Sequence, residues 1–232
     1  MSDGDLRISR APRTWLTYAD RASLDRALAA IAERGGGAVR WWVTDPDTAD
    51  DHAATARGLT AERDLLQMRR PLPVEEPMPK VAVRPFVPGQ DEGAWIEVNN
   101  RAFASHPEQG GWTPEVVVEH EAEPWFDPQG FLLHEDAGSG RLAGFVWTKV
   151  HADEKPPVGE IYVIAVDPDF GGRGLGRTLT MAGLDWMHRV RGVDRAMLYV
   201  DSANGAAVHV YERLGFTVDH VDRAYAGDVA PA

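Results

Sequence analysis

Four glycines, Gly171, Gly172, Gly174 and Gly176, crowd between an apolar stretch ending at Val166 and an amphipathic stretch beginning near Leu175. A glycine-rich turn that carries a strand into a helix aims backbone N–H groups and the positive end of a helix dipole at one spot, which suits an anion such as a pyrophosphate. The spacing narrows the choice of anion. No Gly-Lys-Ser/Thr follows Gly176, so the run is not a Walker loop. The glycines are too crowded for a dinucleotide fingerprint, and no acidic residue closes a second strand about 20 residues on.

Composition removes other chemistries. With no cysteine, the chain has no disulfide, zinc-thiolate site or cysteine nucleophile. The eight histidines are scattered, so no metal is expected. Most of the net charge of −12 falls after residue 78, in the part that carries the glycine run. That excess argues against a nucleic-acid partner and suits a substrate bearing a positive amine. No apolar run approaches the ~18 residues of a membrane span, and no secretory leader opens the chain. A cytoplasmic protein without a membrane partner is expected.

The glycine run must be positioned by the elements around it. The N-terminal stretch 1–18 shows no period and is expected to be loose. The spacing of Leu24, Leu28 and Ile31 predicts a helix over 22–34, stopped by Gly35-Gly36-Gly37. A strand is expected over 38–43, a helix with an acidic start over 50–58, and a strand over 65–70. Pro71, Pro73, Pro77 and Pro79, with Glu75 and Glu76, read as a stiff linker and place a domain boundary near residue 78, giving domains 1–78 and 79–232. Beyond it the pattern predicts a strand at 81–86, a helix at 91–103, and a helix starting near Thr113 with Pro114 in its first position. Strands are expected at 130–134, 142–150 and 160–166, then a helix at 174–191 and a strand at 195–200. A helix over 203–214, stopped by Gly215, and a strand at 216–225 close the chain. The helix-strand-helix-strand order over 22–70 also parallels residues 177–225. The first half therefore reads as a partial repeat without a glycine loop.

The run VDPDFGGRGLGR resembles the acetyl-CoA pyrophosphate loop of the GNAT-type N-acetyltransferases, Gln/Arg-x-x-Gly-x-Gly/Ala after a Val-x-Pro strand end. Gly174 and Gly176 match, while Gly171 stands where that family prefers Gln or Arg. NGAAVHVYERLGF resembles the family's second signature through Asn204, Ala207, Tyr211, Gly215 and Phe216. The element order over 80–226 is that of the GNAT fold, an α/β (α+β) fold with a mixed sheet flanked by helices. The resemblance implies acetyl-CoA as co-substrate and no metal. Ile164, Ala165 and Val166 would meet the pantetheine arm through their main chain. Gly171, Gly172, Arg173, Gly174, Leu175, Gly176 and Arg177 would form the pyrophosphate loop, with Asn204, Ala207 and His209 contributing from the next helix. Tyr211 is the expected general acid for the CoA thiolate, and Asn204 is expected to cap its helix as well. Glu160 is placed to take the proton of an ammonium substrate, because an α-amino group with a pKa of about 7.7–8.0 needs only a mild base.

HPEQGGW, EPWFDPQGF, WTKVH and GEIYV are not general features of that family and resemble its mycothiol synthases. This implies Glu108, Lys149, Glu160 and Tyr199 as contacts to the acceptor, a cysteine amide-linked to glucosaminyl-inositol. Those synthases carry two full repeats, whereas here the first lacks its front half. Two alternatives stay open: an enzyme of the same fold acting on another small amine, and a catalytically silent acyl-CoA-binding module. The acceptor is expected to be a small molecule and the protein a monomer or homodimer.

Overall fold

The computed structural model describes residues 7–10, 14–77, 81–104 and 109–232. The chain forms two compact units, one of residues 1–68, 200–208 and 218–232 and one of residues 69–199 and 209–217.

In the first unit, α1 (Leu24–Glu33) buries Leu24, Ala27 and Ile31 on one face. β3 (Gly37–Thr44) follows the glycine stop. α2 (Thr48–Thr55) is opened by a reciprocal cap: Asp47 accepts from the Asp50 N–H, and Asp50 accepts from the Asp47 N–H. β4 (Thr60–Pro71) and β10 (Thr217–Val229) complete the set. Leu24, Ile31, Val39, Trp41, Ala54, Leu59 and Tyr225 form the core, with the Trp41 and Tyr225 rings stacked at 5.2 Å.

Three expectations change here. The stretch 1–18 contains two short strands, β1 (Ile8–Arg10) and β2 (Trp15–Thr17), the second parallel to β3. They are too short to show a period, and they are held by pairing and by the Trp15 indole N–H donating to the Gly36 carbonyl at 3.0 Å. β4 starts five residues before the predicted 65, because its charged residues are satisfied across the sheet face: Glu62 by Arg40, Arg63 by Asp201 and Asp64 by Arg223. β10 runs past 225 to Val229 because its end forms an antiparallel ladder with β3, from Asp222 opposite Thr44 to Val229 opposite Gly37. The strand order in this unit is β1-β2-β3-β10-β4.

The second unit contains β5 (Arg84–Pro85), α3 (Glu92–Ala102), α4 (Pro114–Glu121), β6 (Phe131–Glu135), β7 (Leu142–His151) and β8 (Val158–Val166). A single 3-10 turn at Pro168–Phe170 leads to α5 (Leu175–Arg191), to β9 (Arg195–Asp201), whose residues up to 199 belong to this unit, and to α6 (Gly205–Arg213), of which residues 209–213 belong to it. β5 is shorter than the predicted 81–86, since Pro85 has no N–H to donate and Pro88 follows closely. The strand order is β9-β8-β7-β6-β5, parallel only between β8 and β9. On one face of this sheet Trp95 from α3 meets Phe131, Phe145 and Trp147, with ring centroids 5.3–5.8 Å away. On the other face α5 lies so close that a Cβ on Gly183 would stand 2.9 Å from Val146 and 3.0 Å from Ile161. The aromatic layer and the close helix fix β7 and β8 from both sides, and β8 ends in the glycine run.

Candidate functional site

β8 and β9 start as neighbours and then part. Their register covers Gly159–Ala196, Glu160–Met197 and Ile161–Leu198, and from Tyr162 to Val166 β8 has no registered partner on that side among the described residues. Pairing with β7 shifts by a residue at the same place, between Trp147 and Thr148, so a bulge falls at Tyr162. Beyond it Val163 and Ala165 are buried, while Ile164 and Val166 are half-exposed. The main chain of Ile164, Ala165 and Val166 therefore borders an opening in the sheet.

The turn after β8 is held rigidly. Asp167 is buried and accepts from the Asp169 N–H at 2.9 Å, and its own N–H donates to the Ala143 carbonyl at 2.9 Å. Arg101 from α3 and Arg141 from the β6–β7 turn pair with Asp167 and Asp169. Gly171 to Gly174 are exposed, and Gly172 and Gly174 both have φ +74° with open space where a side chain would stand. Gly174 is the N-cap of α5 in the left-handed conformation and offers no side-chain cap. Among the described residues, no protein group accepts from the N–H groups of Gly172 to Arg177. These exposed, aligned donors at a helix N-terminus fit a pyrophosphate. The Arg177 side chain pairs with Glu76, and the Arg173 guanidinium lies 5.6 Å from the Phe170 ring centroid.

Register places the sequence-selected acceptor residues. Lys149 lies directly opposite Glu160, and Glu160 lies beside Met197, so Tyr199, two residues on, shares their face of the sheet. The Lys149 ammonium stands 4.5 Å from the Trp125 ring centroid and 5.5 Å from that of Tyr162. Burial, with the Glu160 charge adding, pushes the Tyr162 hydroxyl up to about 12. Glu108 lies outside the described residues. Tyr211, in the part of α6 that belongs to the second unit, is 8% exposed and meets Phe216 edge-on at 5.9 Å. Burial pushes its hydroxyl up to about 12 as well, and no protein group among the described residues accepts from it. His209 is exposed on the same helix. Asn204 and Ala207 fall in the first unit, where the Asn204 side chain accepts from the Ala207 N–H at 3.2 Å and so caps α6.

The sequence did not reveal His151. Its Nε2 lies 2.7 Å from Glu160 Oε2. The available signal was positional: extending β7 by one residue puts His151 diagonally across the hairpin from Glu160. A cavity of about 550 Å³ also lies in this unit, lined among others by Trp125, Phe126, Thr148, Val150 and Trp186. It contains neither Glu160 nor Lys149 and is not where the selected residues gather. No cluster of three or more potential metal ligands occurs among the described residues. No helix among them is long and apolar enough to cross a membrane.

A sheet that opens beside a buried carboxylate, with an anion loop at the end of the same strand, defines an acyl-CoA-dependent acyltransferase class. The family model "Acetyltransferase (GNAT) family" matches residues 95–216. The mycothiol acetyltransferase of Thermobispora bispora is 51% identical over 207 residues, covering 86% of this chain and 69% of that protein. That of Thermomonospora curvata is 50% identical over 204 residues, covering 85% and 66%. The chain thus spans about two thirds of the length of these relatives. A GCN5-related N-acetyltransferase from Sphaerobacter thermophilus has the same fold, with a TM-score of 0.76 at 24% identity over 97% of this chain and 76% of that one. The chain belongs to the GNAT acetyltransferase family and, within it, to the mycothiol acetyltransferases.

Proposed function

We propose that this chain transfers the acetyl group of acetyl-CoA to the cysteinyl amine of desacetylmycothiol. The observation that carries the reading is the parting of β8 from β9 next to the buried Glu160. Residues 79–232 would carry the reaction, with residues 1–78 as a partial repeat. The free N–H groups from Gly172 to Arg177 would hold the pyrophosphate, with Gly171 supplying backbone only, and the main chain of Ile164 to Val166 would hold the pantetheine arm. Glu160 accepts a proton from the substrate ammonium, which leaves the nitrogen lone pair free to attack the thioester carbonyl. An unpaired N–H of β8 stabilises the oxyanion. Tyr211 donates to the sulfur as it leaves. Lys149 and Tyr199, on the face of Glu160, would meet the hydroxyl groups of the acceptor together with Glu108, and the exposed His209 would meet the CoA.

Thiol release from acetyl-CoA, followed with desacetylmycothiol and with a panel of simple amines, tests this. Turnover of the panel without desacetylmycothiol would overturn the acceptor, and acetyl-CoA binding without any turnover would overturn the enzyme. The loop has a separate test. Gly174→Val forces a branched side chain into φ +74°, at a cost of about 1–3 kcal/mol for a non-glycine residue there. Acetyl-CoA is expected to bind roughly 10–100-fold more weakly by calorimetry, and unchanged affinity would remove the loop from the site.

A further inference from the structure

We propose that His151 is a positioning residue for Glu160, holding one carboxylate oxygen so that the other is presented to the acceptor amine. The inference rests on the function proposed above. Glu160 is 8% exposed, and a carboxylate so far out of water needs a donor inside the protein. Two nitrogen donors stand on β7 within reach of that role. Lys149 is directly opposite Glu160 in the register, yet its ammonium lies over the Trp125 and Tyr162 rings and forms no ion pair with Glu160 among the described residues. His151 is one diagonal step away, with Nε2 at 2.7 Å from Oε2. With its proton on Nε2, the imidazole donates to Oε2 and leaves Oε1 free. The ammonium proton then moves to Oε1, the electron pair stays on the nitrogen, and the imidazole keeps its own proton. The arrangement divides the work on this face: Lys149, over the aromatic rings, is left for the acceptor, and His151 fixes the base.

Two variants separate donation from packing. His151→Phe keeps the ring and loses the donor, whereas His151→Gln loses the ring and keeps an N–H. With desacetylmycothiol and acetyl-CoA, His151→Phe is expected to lower kcat about 10–100-fold, the loss of one hydrogen bond to a charged group. The KM for acetyl-CoA should stay within about twofold, and His151→Gln should recover most of kcat. Adding His151→Phe to Glu160→Gln should cost little more than Glu160→Gln alone, because both act through one carboxylate. Full activity of His151→Phe, better rescue by Phe than by Gln, or additive losses would overturn the inference while leaving the function intact. Absence of acetyl transfer by the unaltered protein would overturn both.

Discussion

Glu160→Gln is expected to lower kcat by about 10²–10⁴-fold, the range by which a positioned base accelerates proton transfer. The substitution keeps the shape of the side chain and its ability to accept from His151, and it removes only the lone-pair basicity of the carboxylate. Acetyl-CoA affinity should be unchanged, because the donors that fit it lie on the main chain from Ile164 onward and at the start of α5. The expected signature is a fall in kcat with an unaltered acetyl-CoA dissociation constant. The loss should also shrink as pH rises, since a substrate amine with a pKa of about 7.7–8.0 increasingly arrives neutral without help. A uniform loss from pH 6 to 9 would mean that Glu160 binds the acceptor rather than deprotonating it.

Much of this site was legible because its parts are local. The glycine run, the helix behind it and the start of α4 at Pro114 depend on neighbours a few residues apart, and pattern alone finds them. The strand pair that opens was not legible, because nothing in residues 158–166 or 195–201 says that pairing stops at Ile161 and Leu198. That follows from the bulge at Tyr162 and from packing on two faces. His151 was missed for a related reason: its importance lies in a cross-strand diagonal, which requires the hairpin register. Asp167 is a buried anchor joined to Arg101 and Arg141, residues too far from it in sequence for any local pattern to show the link. In the first unit the short strands β1 and β2 have no period to read, and charged residues disguised the start of β4 until their partners were seen.

Tyr211→Phe tests the other end of the reaction. Burial holds the Tyr211 hydroxyl up near 12, so it carries its proton throughout the neutral range and can offer it to the CoA sulfur. The hydroxyl donates to the sulfur as charge develops there, the step proposed above. Removing one such donor costs about 10²–10³-fold in kcat. Tyr211→Phe is expected to fall at the lower end of that range, with acetyl-CoA affinity nearly unchanged, by stopped-flow measurement of thiol release. The direction with pH is also fixed. Because the folded protein raises this pKa, the hydroxyl keeps its proton through the ordinary tyrosine range, and the donor is lost only as pH climbs toward 12. The alkaline limb of kcat should therefore not begin at the ordinary tyrosine pKa of about 10 on account of Tyr211. A Tyr211→Phe enzyme as fast as the parent would assign the leaving-group proton to solvent.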